Sequence, residues 1–288
     1  PYNTSSHVTS SPLELVHTDV WEPAQMSSGG FKYYVSFLDD FSRYTWVYLI
    51  KNKSDVEQIF YNFQNHVERL LNAKIRAVQS DWGGEYRRLH TYFKSHGITH
   101  RVSCPHTSSQ NGIAERKHRH IVETGLALLA HSSLPLRFWD EAFLTACYLI
   151  NRMPTRLLNN VSPITCLLHI SPDYTFLRTF GCACWPCLRK YNNCKLEFRS
   201  KMCVFIGYSS MHKGYKCLDK STGRIYISRD VVFDESCFPF ASSSLPPSSI
   251  DISQFISFPQ SEPEICNDHM SNYDLSLLFN TSNAAEAS

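Results

Sequence analysis

The spacing of apolar and polar positions changes period repeatedly along the first hundred residues, and each change marks an element. Leu13, Leu15 and His17 lie on one side of an alternating run that closes on Asp19, which predicts a β-strand over 13–20. Two further β-rich runs, 33–38 and 44–50, are joined by Asp39, Asp40, Phe41, Ser42 and Arg43, and with the first they make an antiparallel meander. Asp residues at a hairpin usually serve the turn itself, so Asp39 and Asp40 are assigned to turn chemistry. From Ser54 the period becomes helical. Val56, Ile59, Phe60, Phe63, Val67, Leu70 and Leu71 form one stripe, and Ser54 with Glu57 has capping-box spacing. After such a crossover the strand over 75–79 lies parallel to and beside the first, which brings Asp81 next to Asp19.

Gly83 and Gly84 permit a tight turn, 85–95 reads as a short helix ended by Gly97, and 98–102 as a short strand. Residues 104–112 are poor in hydrophobes and read as a surface loop. A helix from about Ile113 carries Glu115, with His118, Arg119 and Val122 on its neighbouring face, while Arg116, Lys117 and His120 spread cations around it. A second long helix is expected over 134–153, with Pro135 in its first turn, and Ser162-Pro163 opens a short one ending at Leu168. Beyond Pro172 the period switches to two. Short strands over 180–188, 202–208, 214–219, 224–228 and 229–233, with a turn from Asp219 to Gly223, have the spacing of a small barrel. The expected organisation is a flexible segment over 1–12, an α/β core over 13–170, a β-barrel over 176–235 and a disordered linker over 236–288, where Ser and Pro accumulate.

Composition adjusts this picture in three places. The chain has 288 residues, 43% of them hydrophobic, and a net charge of +2. All 28 Lys and Arg precede residue 236 while six of the 26 acids follow it, so residues 1–235 carry +8, which suits a polyanionic partner. No run of about 18 apolar residues is present, so no membrane partner is expected. The first residue is Pro1 and the opening stretch is polar, as expected of a piece of a longer translation product without a signal peptide. The 11 cysteines imply a reducing compartment. Cys182, Cys184, Cys187 and Cys194 lack the paired modules of a zinc ribbon, and no zinc is expected in this chain.

The chemistry concentrates in Asp19, Asp81 and Glu115, carboxylates that come from separate elements. Converging carboxylates hold divalent cations, because hard ions prefer oxygen ligands and need their charge offset. The strings HTDVW (His17 to Trp21), FLDDFSRYTWVYLIKNKSD (Phe37 to Asp55), QSDWGGEY (Gln79 to Tyr86) and SSQNGIAERKHRHIVE (Ser108 to Glu123) occur in that order. Together they resemble the integrase core of copia-type retrotransposon polyproteins, in the form typical of plants. The segment from Phe180 onward, with FGCACWP and KGYKCLDKSTGRIYISRDVVFDE, resembles the SH3-like barrel that follows that core. Two departures stand out: Trp82 occupies a position where the family commonly has Asn, and the Asp81 to Glu115 interval is slightly shorter than in many retroviral relatives. No counterpart of the zinc-binding module that usually precedes such cores is visible.

The resemblance implies an RNase H-like mixed sheet flanked by helices and carries over Asp19, Asp81 and Glu115 as the catalytic and metal-binding triad. Asp19 and Asp81 would share one Mg2+ (or Mn2+), and Asp19 with Glu115 would hold a second. The resemblance makes Gln110 and Asn111 DNA contacts, though both could equally cap the helix. Arg116, Lys117, Arg119 and His120, beside the metal carboxylate Glu115, are assigned to phosphate binding over a merely solvated helix face. The implied activity is metal-dependent 3′ processing and strand transfer of element DNA into target DNA, by a self-associating protein acting in the nucleus. Two other readings stay open: a related RNase H-like nuclease, and an inactive remnant that only binds nucleic acid.

Overall fold

The computed structural model describes residues 9–22, 25–103, 111–189, 191 and 198–241. The linker expected over 236–288 falls outside these residues from 242 onward, as do Gln110 and most of the segment expected over 1–12. Thr9 is already buried and its hydroxyl donates to Asp40.

The first sheet holds β1 (Val16–Trp21), β2 (Tyr33–Asp39), β3 (Thr45–Ile50), β4 (Ala77–Ser80) and β5 (Thr99–Val102). Their order is β3-β2-β1-β4-β5. The meander β1-β2-β3 is antiparallel, and β4 joins β1 in parallel after the crossover helix α1 (Val56–Leu71). The first strand begins later than its alternation suggests. Leu13 adopts a left-handed backbone (φ 62°) and donates its N–H to Asp39 Oδ1, so a turn, not a strand, occupies 13–15. At its other end β1 runs past Asp19 to Trp21, so the carboxylate sits within the strand, opposite Ser36 of β2. The helix start is also displaced: a 3-10 turn over Lys53–Asp55 precedes α1, and Asp55 accepts from the Asn52 N–H in place of the Ser54 and Glu57 pairing.

Strand alternation sorts the two faces of this sheet. Val16, Val35, Phe37 and Val78 point toward α1 and α2 (Gly84–Ser95), where they meet Phe60, Phe63, Leu89 and Phe93; Phe37 and Phe63 stack at 4.2 Å. Thr18 belongs to the same face and meets the Tyr86 hydroxyl at 2.9 Å. Asp19, Trp21, Tyr34 and Ser36 face the other way, toward α3 (Gly112–Ser132) and α4 (Trp139–Ile150). The expected helix over 134–153 is shorter at both ends. Pro135 is extended and a 3-10 turn over Leu136–Phe138 leads into α4. At the far end the Asn151 side chain accepts from Thr45 N–H (3.0 Å) and donates to Thr45 C=O (2.7 Å), acting as one more rung on β3. The short helix α5 (Pro163–Leu168) starts as expected, with Ser162 as its cap.

The second sheet contains β6 (Ala183–Pro186), β7 (Cys203–Tyr208), β8 (Tyr215–Leu218), β9 (Ile225–Ser228) and β10 (Val231–Asp234), all antiparallel, in the order β10-β6-β7-β8-β9. At its β8–β9 turn Asp219 accepts from Ser221 N–H and from the Ser221 hydroxyl, and Gly223 takes the positive φ (74°) that the turn requires. This sheet is packed directly on α3 and α4. Phe180, Val204, Ile206 and Leu218 share one buried cluster with Ile121, Leu129 and Phe143. Lys216 of β8 also pairs with Glu141 of α4 at 2.8 Å, both side chains largely shielded. Among the described residues no helix is long and apolar enough to cross a membrane.

Candidate active site on the first sheet

Three elements deliver the carboxylates. Asp19 lies on β1. The β1–β4 register pairs Val16 with Val78 and His17 with Gln79, and carried two residues further it sets Asp81 opposite Asp19. Glu115 comes from the first turn of α3, the helix that crosses the Asp19 face of the sheet. A fourth acid, Glu85 in the first turn of α2, stands beside Asp81: a methyl group added at Gly83 would meet Glu85 Oε2 at 2.9 Å and Asp81 Oδ1 at 3.1 Å. Gly83 thus leaves room for two carboxylates on one turn.

Electrostatics single out Asp19. Burial, followed by the charge of Asp81 and then those of Glu115 and Glu85, pushes its pKa up to about 7, against the pull of the Val20 N–H that Oδ1 accepts at 3.0 Å. Burial also raises Glu115, opposed by Arg116 and Arg119. Asp81 is exposed, and its Oδ1 accepts from Gly83 N–H. Such a set of oxygen donors, repelling one another at neutral pH, suits a hard divalent cation. Among the described residues no three of His, Cys, Asp and Glu stand close enough to share one ion. The donor chemistry fits such an ion, but the three carboxylates are not gathered around one point; what joins them is the influence of Asp81, Glu115 and Glu85 on the charge of Asp19.

The residues assigned to DNA divide by their position around α3. Arg116 and His120 are exposed and Arg119 is half-buried. Arg116 and Arg119 act on Glu115, as their position on the helix dictates. Lys117 points away from that side. It is half-buried near Cys147 and Arg43, and burial pulls its pKa down to about 8. Asn111 is buried at the start of α3, makes no side-chain cap, and its Oδ1 has no partner among the described residues. On the second sheet, Lys216 is committed to Glu141.

One residue beside Asp19 carried no distinct sequence signal. His118 is buried, with Nε2 2.6 Å from the Ser36 hydroxyl and Nδ1 3.7 Å from Asp19 Oδ2. Burial pushes its pKa down to about 3. Its three-residue spacing from Glu115 puts both on one helical face, but Ser36, a small polar residue inside a strand, is visible as its partner only in three dimensions.

A mixed sheet followed by an antiparallel one fits the class that the family matches give: an integrase core with an SH3-like domain after it. Residues 9–108 match the integrase core domain and residues 182–246 the retroviral polymerase SH3-like domain. The retrovirus-related Pol polyprotein from transposon RE1 of Arabidopsis thaliana is 50% identical over 84% of this chain, and that from transposon TNT 1-94 of Nicotiana tabacum 42% identical over 82%. The chain belongs to this family of plant copia-type, retrovirus-related Pol polyproteins, and carries their integrase core and SH3-like domains. It spans 16% and 18% of the length of those two relatives. Among solved structures, a simian T-cell lymphotropic virus intasome in complex with PP2A regulatory subunit B56 gamma aligns over 76% of this chain and 77% of that one, at TM-score 0.45 and 15% identity. The HTLV-2 integrase catalytic core in complex with magnesium aligns over 54% of this chain and 97% of that one, at TM-score 0.40 and 19% identity.

Proposed function

We propose that this chain supplies the catalytic centre of a metal-dependent polynucleotidyl transferase that processes the 3′ ends of element DNA and joins them to target DNA. The observation that carries this reading is Asp19. Its dominant influences are burial and other carboxylates, which hold it near a pKa of about 7. A largely shielded acid kept among acids is costly unless a cation completes the set.

In this reading Asp19 with Asp81, and Asp19 with Glu115, would hold Mg2+ or Mn2+. When bound, the ions supply positive charge to the attacking and leaving oxygens of an in-line displacement. The chain's own residues do the rest. Asp19 is kept in place by Val20 N–H, while Gly83 fixes the exposed Asp81 through its N–H. Arg116 and Arg119 offer cations to phosphates beside Glu115; His120, its pKa lowered by burial and by Lys117, offers a hydrogen bond instead, and Asn111 adjoins them at the start of the helix. Lys117 sits lower in the protein and would reach a phosphate only from its half-buried position. Self-association and action on nuclear DNA belong to the same proposal.

The test is a joining assay with the purified chain, labelled short duplex DNA and Mg2+ or Mn2+, beside Glu115→Gln and Asp19→Asn. Joined products that need the metal and both carboxylates support the reading. Cleavage without joining would indicate a nuclease, salt-sensitive binding alone an inactive remnant, and undiminished joining by Asp19→Asn would overturn the site.

A further inference from the structure

Asp19 is hydrogen-bonded from the protein side at one oxygen and faced by a buried histidine at the other. Oδ1 accepts the Val20 N–H at 3.0 Å, and Oδ2 faces His118 Nδ1 at 3.7 Å. The far nitrogen of that ring is engaged by Ser36 at 2.6 Å, and Ser36 is the residue paired with Asp19 across β1 and β2. Tyr34 closes edge-on against the ring at 5.1 Å. The imidazole is thus clamped between a strand hydroxyl, an aromatic edge and a carboxylate.

A neutral imidazole carries one N–H. With the Asp19 carboxylate in front of Nδ1, the proton is favoured on Nδ1, and Ser36 then donates to Nε2. This orientation turns a donor toward Oδ2 and leaves the other lone pairs of Asp19 available, with Asp81 and Glu115 near enough to act on its charge. We infer that His118 is a positioning residue: held by Ser36, it fixes the rotamer of Asp19 so that one carboxylate serves both flanking acids. The inference rests on the reading of Asp19 as a metal ligand under the proposed function.

Calorimetric titration of the full chain with Mn2+, with melting temperature recorded for each variant, tests it. Asn at 118 can place an amide N–H where Nδ1 lies, whereas Gln reaches only the Ser36 side. His118→Leu and His118→Gln are expected to weaken Mn2+ binding about tenfold to a hundredfold, as loss of an outer-shell partner does, while His118→Asn stays close to wild type. A residue that only fills space would make Asn and Gln indistinguishable. Equal affinity of those two variants, or wild-type affinity in a folded His118→Leu, overturns the inference while leaving the metal reading intact. A wild-type chain that takes up no Mn2+ overturns both.

Discussion

Two pairs of aspartates sit a few strand positions apart on the same sheet and live in opposite surroundings. Asp39 and Asp40, at the β2–β3 turn, are surrounded by donors. Asp39 accepts from Leu13 N–H, Ser42 N–H and the Ser42 hydroxyl at 2.8, 2.8 and 2.6 Å. Asp40 faces His17, Arg43 and Thr9. Asp19 and Asp81 face one another, with Glu115 and Glu85 beyond. Burial is not what separates the pairs, since it pushes Asp39 above the usual carboxylate range as well. At Asp40 burial is overcome by His17 and Arg43, which hold it below that range. A carboxylate that holds the fold together is given partners; under the proposed function, one kept for an incoming cation is given rivals.

Four substitutions would break or sharpen this contrast. Asp39→Ala strands several buried donors at once and should cost about 3 kcal/mol, read as a lower denaturation midpoint with unchanged slope. Asp19→Asn should act in the opposite direction. Asp19 has a folded pKa of about 7 against an ordinary 3.8, so its contribution to stability is full below about pH 4 and lost as pH rises through 7. In chelator, the variant should therefore match wild type near pH 4 and exceed it at pH 8 by about 2 kcal/mol, a figure discounted because the side chain is still 23% exposed. Equal stability at both pH values would remove the electrostatic difference between the pairs. Arg43→Gln keeps a side chain at a left-handed position (φ 58°) but removes the cation on Asp40, for a loss of about 1 kcal/mol in thermal unfolding. Asp81→Asn, at an exposed site, should move metal-free stability by no more than about 0.5 kcal/mol while weakening the response to added Mn2+.

Much of this was legible along the chain. Period changes locate the meander, the crossover and the parallel placement of β4, because alternation and helical spacing report which side of an element is buried. Asp39 and Asp40 read as turn residues for the same local reason, and the hydrogen bonds of Asp39 to Ser42 are local. What escaped is what depends on neighbours from elsewhere. Lys117 looks like one cation in a basic run until α3 is laid on the sheet, when its direction faces Cys147 and Arg43. Lys216 looks free until α4 brings Glu141 to it. His118 and Ser36 are 82 positions apart, and no periodicity links them. The start of β1 was misplaced by a tertiary contact too, since Asp39 captures the Leu13 N–H and bends the chain there.

The buried cluster shared by α3, α4 and the second sheet has a bearing on how the molecule comes apart. Val204, Ile206 and Leu218 are as much the lining of Phe143 and Ile121 as of their own sheet. Removing the second sheet would leave that lining bare, a sticky surface on the helix that also carries Glu115. The two sheets should consequently melt in one calorimetric transition, and a protease nick in the connection around 171–179 should leave the halves travelling together on a sizing column. The second sheet then serves as a lid on the scaffold of the acidic site, and damage to it would be felt at Glu115 without any contact to DNA.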